Sequence, residues 1–252
     1  LTILHINDLH SRIAPISRFD GTCGAAADAA GECFGGVARL KTFLDERRAA
    51  LEAEGRNVLV LDAGDQFQGS LMYSTYKGAV EAEFMNGIGF DAMAVGNHEF
   101  DDGPEQLAEF IAAVDVPVVT GTLAVSAEPL LDGTVGGALV LEAGGERIGI
   151  VSALAADTVE TSSPGPNVVF ADEVMSVAAQ AAALTEDGVT KIIALTHVGL
   201  PMDIRIAQGA PGVDAIVGGH SHTYLSSSDP DAAGVYPTFA DGADGVQVPI
   251  VQ

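Results

Sequence analysis

The chain has 252 residues, 48% of them hydrophobic, enough for one large domain or two small ones with a buried core. Eleven Lys and Arg stand against 35 Asp and Glu, a formal net charge of −24 that repels nucleic-acid polymers and anionic lipid surfaces. No apolar run reaches the ~18 residues of a membrane span, and no signal segment opens the chain.

The predicted elements alternate between short β-rich runs and helix-like stretches. Leu1 to Ile6 reads as a first strand, exposed by processing or by the choice of chain boundary. Ala25 to Gly31 is low in complexity and reads as a flexible loop. Val37 to Glu54 has apolar residues at helical spacing among Ala, Arg and Glu, so a helix is expected. Asn57 to Leu61 is a continuous apolar strand, Gly78 to Asn86 a helix and Ala92 to Val95 a strand. Pro104 to Val114 predicts a helix with Pro in its first turn, followed by a strand over Val116 to Thr120. Ala138 to Glu142 and Arg147 to Ser152 predict a hairpin around Gly144-Gly145. Asp172 to Leu184 reads as a helix, and Ile192 to Thr196 and Ala215 to Val217 as buried strands. Ser226 to Gly245, rich in Ser, Asp, Gly and Pro, is a long surface excursion. The chain closes on an apolar strand-like run, Val248 to Gln252, so the native protein is expected to continue. The alternation predicts an α/β domain with covered sheets.

Cys23 and Cys33 lie close together without the further Cys or His that a zinc site needs. A local disulfide implies an oxidising compartment, and the alternative is two free thiols in a reducing cytosol. Most of the acidic excess reads as a solubility or salt-tolerance adaptation. It does not exclude a small anionic substrate, because bound divalent metals reverse the local field.

The histidines carry the chemistry. Of the six, His5 lies inside the first strand and reads as structural, whereas His10, His98, His197, His220 and His222 follow apolar strands. Ligands of α/β sheets bind beyond the carboxyl ends of strands, so these loops are expected to converge. Asp8-Leu9-His10 puts a carboxylate and an imidazole on one face of an extended segment, half a site for a transition metal. In Asp62-Ala63-Gly64-Asp65, Gly64 allows a sharp turn that presents Asp65, whose two oxygens can bridge two cations. In Gly96-Asn97-His98-Glu99-Phe100-Asp101, Asn97 offers a carbonyl ligand, and His98 can donate a proton or stabilise a developing anion. Asp101 can hold the His98 ring, or alternatively cap the helix that starts near Pro104. Thr196-His197 and Gly218-Gly219-His220-Ser221-His222 complete the set. Asp8, His10, Asp65, Asn97, His197, His220 and His222 are too many donors for one tetrahedral ion. They suit two ions about 3.5–4 Å apart that share Asp65 and a bridging water or hydroxide.

In order, these motifs resemble the signature of the calcineurin-like metallophosphoesterases: D-x-H, G-D, G-N-H-[DE], H and G-H-x-[HNQ]. The match runs nearly end to end. Ile6 to His10, Gly35 to Leu40, Asp62 to Gly69, Gly96 to Asp101 and Pro249 to Gln252 are similar to the 5′-nucleotidase branch. Tyr76-Lys77-Gly78, Phe84-Met85-Asn86 and the Cys23/Cys33 pair resemble animal ecto-5′-nucleotidases. The resemblance implies a four-layer αββα sandwich with two packed mixed β-sheets, formed by one catalytic domain over residues 1–252. It implies that Asp8, His10, Asp65 and His222 hold one metal and Asp65, Asn97, His197 and His220 the other. His98 and Asp101 would be the catalytic dyad, and Cys23–Cys33 a disulfide in an extracytoplasmic protein. His222 stands where 5′-nucleotidases often carry Asn or Gln, and Thr120-Gly121-Thr122 where relatives commonly have an Asn.

The expected function is two-metal hydrolysis of phosphate monoesters, foremost nucleoside 5′-monophosphates, with Zn, Mn, Mg or Co as cofactors. Small phosphate esters are the expected partners, with no nucleic-acid polymer and no transmembrane segment. Related nucleotide phosphodiesterases, UDP-sugar hydrolases and thiosulfohydrolases would share the metal centre. A metal-binding module that has lost activity would not need the His98/Asp101 pair. The family usually adds a C-terminal domain that clamps the nucleoside, expected outside these residues. A domain that keeps its metals but turns over few nucleotides is therefore a further expectation.

Overall fold

In the computed structural model, which describes residues 1–252, the opening apolar run forms β1 (Thr2–Ile6). Next come α1 (Ala25–Ala29), α2 (Val37–Ala53), β2 (Val58–Asp62), α3 (Leu71–Tyr76), α4 (Ala79–Ile88) and β3 (Ala92–Ala94). A 3₁₀ turn, His98–Phe100, leads into α5 (Gly103–Ala113), β4 (Val118–Val119) and β5 (Leu123–Ala124). Then follow β6 (Ala138–Ala143), β7 (Glu146–Leu154), α6 (Thr158–Thr161), β8 (Val169–Phe170) and α7 (Glu173–Glu186). The chain ends through β9 (Ile192–His197), α8 (Leu200–Gly209), β10 (Ala215–Val217), β11 (Thr238–Asp241) and β12 (Gln247–Val251).

Two sheets organise the core. The first is parallel throughout, in the order β1-β2-β3-β4. The second has the order β11-β12-β10-β9-β7-β6, with β7, β9, β10 and β12 parallel and the two edge strands antiparallel. Strand residues alternate between two destinations, as a pleat requires. Leu59 and Leu61 of β2 meet Ile148 and Ile150 of β7 and Ile193 and Leu195 of β9 between the sheets. Val60 and Met93 point the other way, onto Leu44, Met85 and Phe110 of α2, α4 and α5. Ile192, Ala194 and Ile216 pack outward onto Val177 and Ala181 of α7 and Ile206 of α8. Helices, sheet, sheet and helices make the four-layer αββα sandwich.

Several local outcomes differ from expectation. Ala25 to Gly31 is not all loop: Ala25–Ala29 makes one helical turn, favoured by four alanines in five residues. The strand over Val116 to Thr120 shrinks to the two residues of β4. The excursion over Ser226 to Gly245 returns as β11, which pairs with β12 across Asp241↔Gln247. Helix α8, over LPMDIRIAQG, has no counterpart among the predicted elements. Its apolar face is Ile206 and Ala207 against the second sheet, with Pro in its first turn. Helix α7 starts where Asp172 accepts the Met175 N–H at 2.8 Å.

Candidate metal centre

Both sheets turn the carboxyl ends of their parallel strands to the same side. Asp8 follows β1, Asp65 follows β2, Asn97 and His98 follow β3, His197 ends β9, and His220 and His222 follow β10. The loops are stitched to one another by backbone N–H groups, which donate to carbonyls and to two carboxylates. Asp8 N–H donates to the Gly64 carbonyl at 2.9 Å and His10 N–H to that of Asp65 at 3.0 Å. His220 N–H donates to the Asp8 carboxylate at 3.1 Å, and His98 N–H to Asp65 Oδ1 at 2.9 Å. Close approach explains the glycines of the motifs. A Cβ on Gly96 would fall on the Asp65 carboxylate, and one on Gly219 would lie 2.9 Å from His197 Nδ1 and 3.0 Å from the Ala63 carbonyl.

Five of the expected donors have left-handed backbone: Asp8 (φ 51°), His10 (48°), Asp65 (60°), His220 (82°) and His222 (49°). Such conformations cost free energy for residues with a Cβ and gather at functional sites. Asp8 and Asp65 are buried, with side chains 4% and 2% exposed, and their only cationic neighbours are imidazoles. His222 Nε2 lies 3.3 Å from Asp8 Oδ1 and 3.0 Å from His10 Nε2. His197 Nε2 lies 3.0 Å from Asp65 Oδ2 and 3.8 Å from Asp8 Oδ1. Asn97 Oδ1 is 2.8 Å from His220 Nδ1.

The donor set fits divalent cations. In the neutral rings, His10 Nδ1 donates to the Phe67 carbonyl at 3.2 Å and His197 Nδ1 to the Ala63 carbonyl at 2.7 Å, which leaves each Nε2 a lone pair facing the centre. His197 is fully buried, yet its Nε2 makes no hydrogen bond, since its approach to Asp65 is off the required line. Three groups of donor atoms lie within 4.8 Å of one another: Asp8/His10/His222, Asp8/Asp65/His197 and His10/Asp65/His98. Burial works to raise Asp65, but His197 and His98 outweigh it and hold the carboxyl well below its ordinary range. Burial likewise opposes charge on His197, and Asp65 and Asp8 override it, so this ring is raised. His10 and His220 are lowered by burial.

His98 stands apart chemically. Its Nδ1 lies 2.8 Å from Asp101 Oδ2, and that hydrogen bond raises the ring above its usual value despite burial. Its ring meets His10 edge-on at 5.1 Å. Asp101 closes the 3₁₀ turn through its N–H on the His98 carbonyl and does not cap α5. Asp102 takes the position before α5 and its side chain makes no cap hydrogen bond.

Residues 1–224 match the calcineurin-like phosphoesterase family. The chain belongs to that family. It is similar to the 5′-nucleotidase of Homo sapiens, 43% identical over 260 residues that cover all of this chain and 44% of that protein. The snake venom 5′-nucleotidase of Naja atra is 42% identical over 260 residues, again all of this chain and 47% of that protein. The solved 5′-nucleotidase precursor from Thermus thermophilus superposes with a TM-score of 0.88 at 39% identity, over 99% of this chain and 48% of that one. The phosphoesterase chain thus spans less than half the length of these relatives.

Around the expected donors the phosphoesterase centre has supports that sequence reasoning did not assign. Glu99, fully buried, accepts four backbone N–H groups, from Asp65, Gln66, Phe67 and Gly96, at 2.7–3.1 Å. Asp62 takes the Gly64 N–H at 3.0 Å and the Gln66 amide at 2.6 Å, which shapes the turn that presents Asp65. Asp203 on α8 accepts the Thr196 hydroxyl at 2.6 Å, next to His197. Glu99 lies inside the strongest motif, but nothing in its spacing signals four donors. His5 stays outside the centre, 3.0 Å from the Tyr236 hydroxyl. Cys23 and Cys33 form a disulfide with Cα atoms 5.8 Å apart.

Proposed function

We propose that residues 1–252 are the catalytic domain of a two-metal 5′-nucleotidase, which releases phosphate from nucleoside 5′-monophosphates. The observation that carries it is the buried pair Asp8 and Asp65, facing the unpartnered Nε2 of His197 with no Lys or Arg to balance them. In this reading Asp8, His10, Asp65 and His222 hold one divalent cation, and Asp65, Asn97, His197 and His220 the other. The donors are imidazole, carboxylate and amide oxygen, suited to Zn, Mn, Co or Mg. When bound, the two cations supply Lewis acidity that neutralises phosphate oxygens and makes water a nucleophile at neutral pH. His98, raised by its hydrogen bond to Asp101, is the proton donor to the departing alkoxide, from Nε2. Asp101 fixes the tautomer and the ring plane.

The 5′-nucleotidase relatives are about twice as long, so in this reading the nucleoside is recognised by groups outside these residues. The disulfide supports an extracytoplasmic location. No helix is long and apolar enough to cross a membrane.

Metal content and phosphate release from AMP, with and without added Mn²⁺, Zn²⁺ or Co²⁺, test the reading in one preparation. About two metals per chain and metal-dependent release are expected. No bound metal under any condition refutes it. His98→Ala should lower turnover about 10²–10⁴-fold with metal content intact, and loss of metal from that variant removes the acid role.

A further inference from the structure

The segment after β7 runs across the centre and touches loops of both sheets. Ala155 N–H donates to the His197 carbonyl at 3.0 Å, and Asp157 Oδ1 lies 3.7 Å from His220 Nε2. Ser163 N–H donates to the Phe100 carbonyl at 3.2 Å. Between these anchors sits α6, closed by the Ser162 N–H on the Thr158 carbonyl at 3.0 Å. The Ser162 hydroxyl does not cap this turn. It lies 2.8 Å from Asp101 Oδ1, 61 residues away in sequence, and makes no other hydrogen bond. The second oxygen of the same carboxylate takes His98 Nδ1 at 2.8 Å.

We infer that Ser162 is a positioning residue for the His98–Asp101 pair, an inference that rests on the proposed acid role of His98. The Ser162 hydroxyl is the donor and Asp101 Oδ1 the acceptor. The terminal torsion of an Asp side chain is broad and roughly two-fold, so a carboxylate held at one oxygen still pivots. Ser162 occupies the other oxygen and removes that freedom. The plane of Asp101 then faces His98 Nδ1, and Nε2 is aimed at the centre. Backbone hydrogen bonds on either side of Ser162 hold its own position, so the hydroxyl is fixed before any ligand arrives.

The test pairs a spectroscopic with a kinetic reading on the 252-residue chain. The His98 Nδ1 proton is assigned in the NMR spectrum by its loss in His98→Gln. In Ser162→Ala this resonance moves or broadens, whereas Ser162→Thr, which keeps a hydroxyl, retains the parental signal. With metals loaded, Ser162→Ala lowers kcat on an alkyl phosphate roughly tenfold, the scale of one hydrogen bond to a charged group. KM and metal content stay unchanged, Ser162→Thr restores the rate, and an aryl phosphate that departs without a proton loses much less. An unmoved resonance, or an equal loss on both esters, overturns the positioning role. If His98→Gln is slow but Ser162→Ala is as fast as the parent, only this inference fails. If His98→Gln retains full activity, the acid reading fails, and the resonance still decides whether Ser162 orients the pair.

Discussion

Glu99→Gln exchanges one oxygen for an NH₂ where four buried N–H groups converge. Oε1 accepts from Gln66 at 2.8 Å and Phe67 at 3.1 Å, and Oε2 from Asp65 at 3.0 Å and Gly96 at 2.7 Å. Whichever way the amide turns, two donors face another donor. A buried donor without an acceptor costs about 1–3 kcal/mol, so the pair costs about 4 kcal/mol. One term opposes this. Burial and the charge of Asp65 push Glu99 up to about 7, so a neutral amide relieves part of a buried charge. At pH 8, where the carboxylate is ionised and accepts all four, that relief is about 3 kcal/mol, at 1.36 kcal/mol per unit by which the group is raised. The lost acceptors still win, and the variant should be less stable by about 1 kcal/mol at pH 8. Urea unfolding in EDTA reads this directly, and the melting temperature should fall by roughly 2–4 °C for a chain of this size. Glu99 also ties the Asp65 turn to Gly96, so Mn²⁺ affinity measured by calorimetry should drop about 10–100-fold. A variant that unfolds at or above the parental midpoint refutes the view that these four hydrogen bonds hold the two loops together.

Two further outcomes follow from buried and cross-linked groups. Asp203 is fully buried, its Oδ2 has no partner, and burial pushes its carboxyl up to about 7. The folded chain therefore binds this proton more tightly than the unfolded chain. Stability from this group is full below about pH 4 and is lost as pH rises through 7. Asp203→Asn removes the slope, so relative to the parent it should gain on the order of 3 kcal/mol between pH 5 and pH 8 in urea titrations. Parallel pH curves for the two proteins would contradict the assignment. The Cys23–Cys33 bond closes a loop with a sequence separation of 10, so replacing both by Ser should cost about 3 kcal/mol. Mn²⁺ binding should be unaffected in that variant, and unchanged unfolding would show that the loop is held by other contacts.

What the sequence disclosed tracks where the chemistry sits relative to the strands. Asp8, Asp65, His98 and His220 each come within a few residues of an apolar run, so the strand end and the donor are read together. The hairpin β6/β7 and α7 were equally legible, through Gly144-Gly145 and through Asp172 before a helical pattern. Helix α8 was hidden because its N-terminal Pro and scattered charges blur the apolar face that Ile206 and Ala207 present. Ser162 had no local signal at all, since its partner Asp101 is 61 residues away and only the path from β7 through α6 brings them together. Glu99 was visible as a residue but not as an acceptor, because its four donors belong to a turn whose shape sequence does not give.

The strained loops and the buried charge bear on one another. In isolation, left-handed backbone at Asp8, His10, Asp65, His220 and His222 disfavours the folded state, and so do two carboxylates 4% and 2% exposed without Lys or Arg. The imidazoles answer the charge only by taking protons, as the raised value of His197 records. Cations placed among the same atoms answer it without protons and leave each Nε2 lone pair in use. Binding and loop order therefore act through the same residues, and whatever binds the folded form alone stabilises it. The chain has 11 Lys and Arg for 35 Asp and Glu, so basic side chains are scarce as counter-charge. The Glu99 and Asp62 side chains and the backbone tie between Asp8 and Gly64 hold the loops in their strained form without the side chain of an expected metal ligand, and only the His220 and His98 N–H groups draw on the Asp8 and Asp65 carboxylates. That separation lets the donors keep free lone pairs while the protein supplies the geometry, which is what a preorganised metal centre requires.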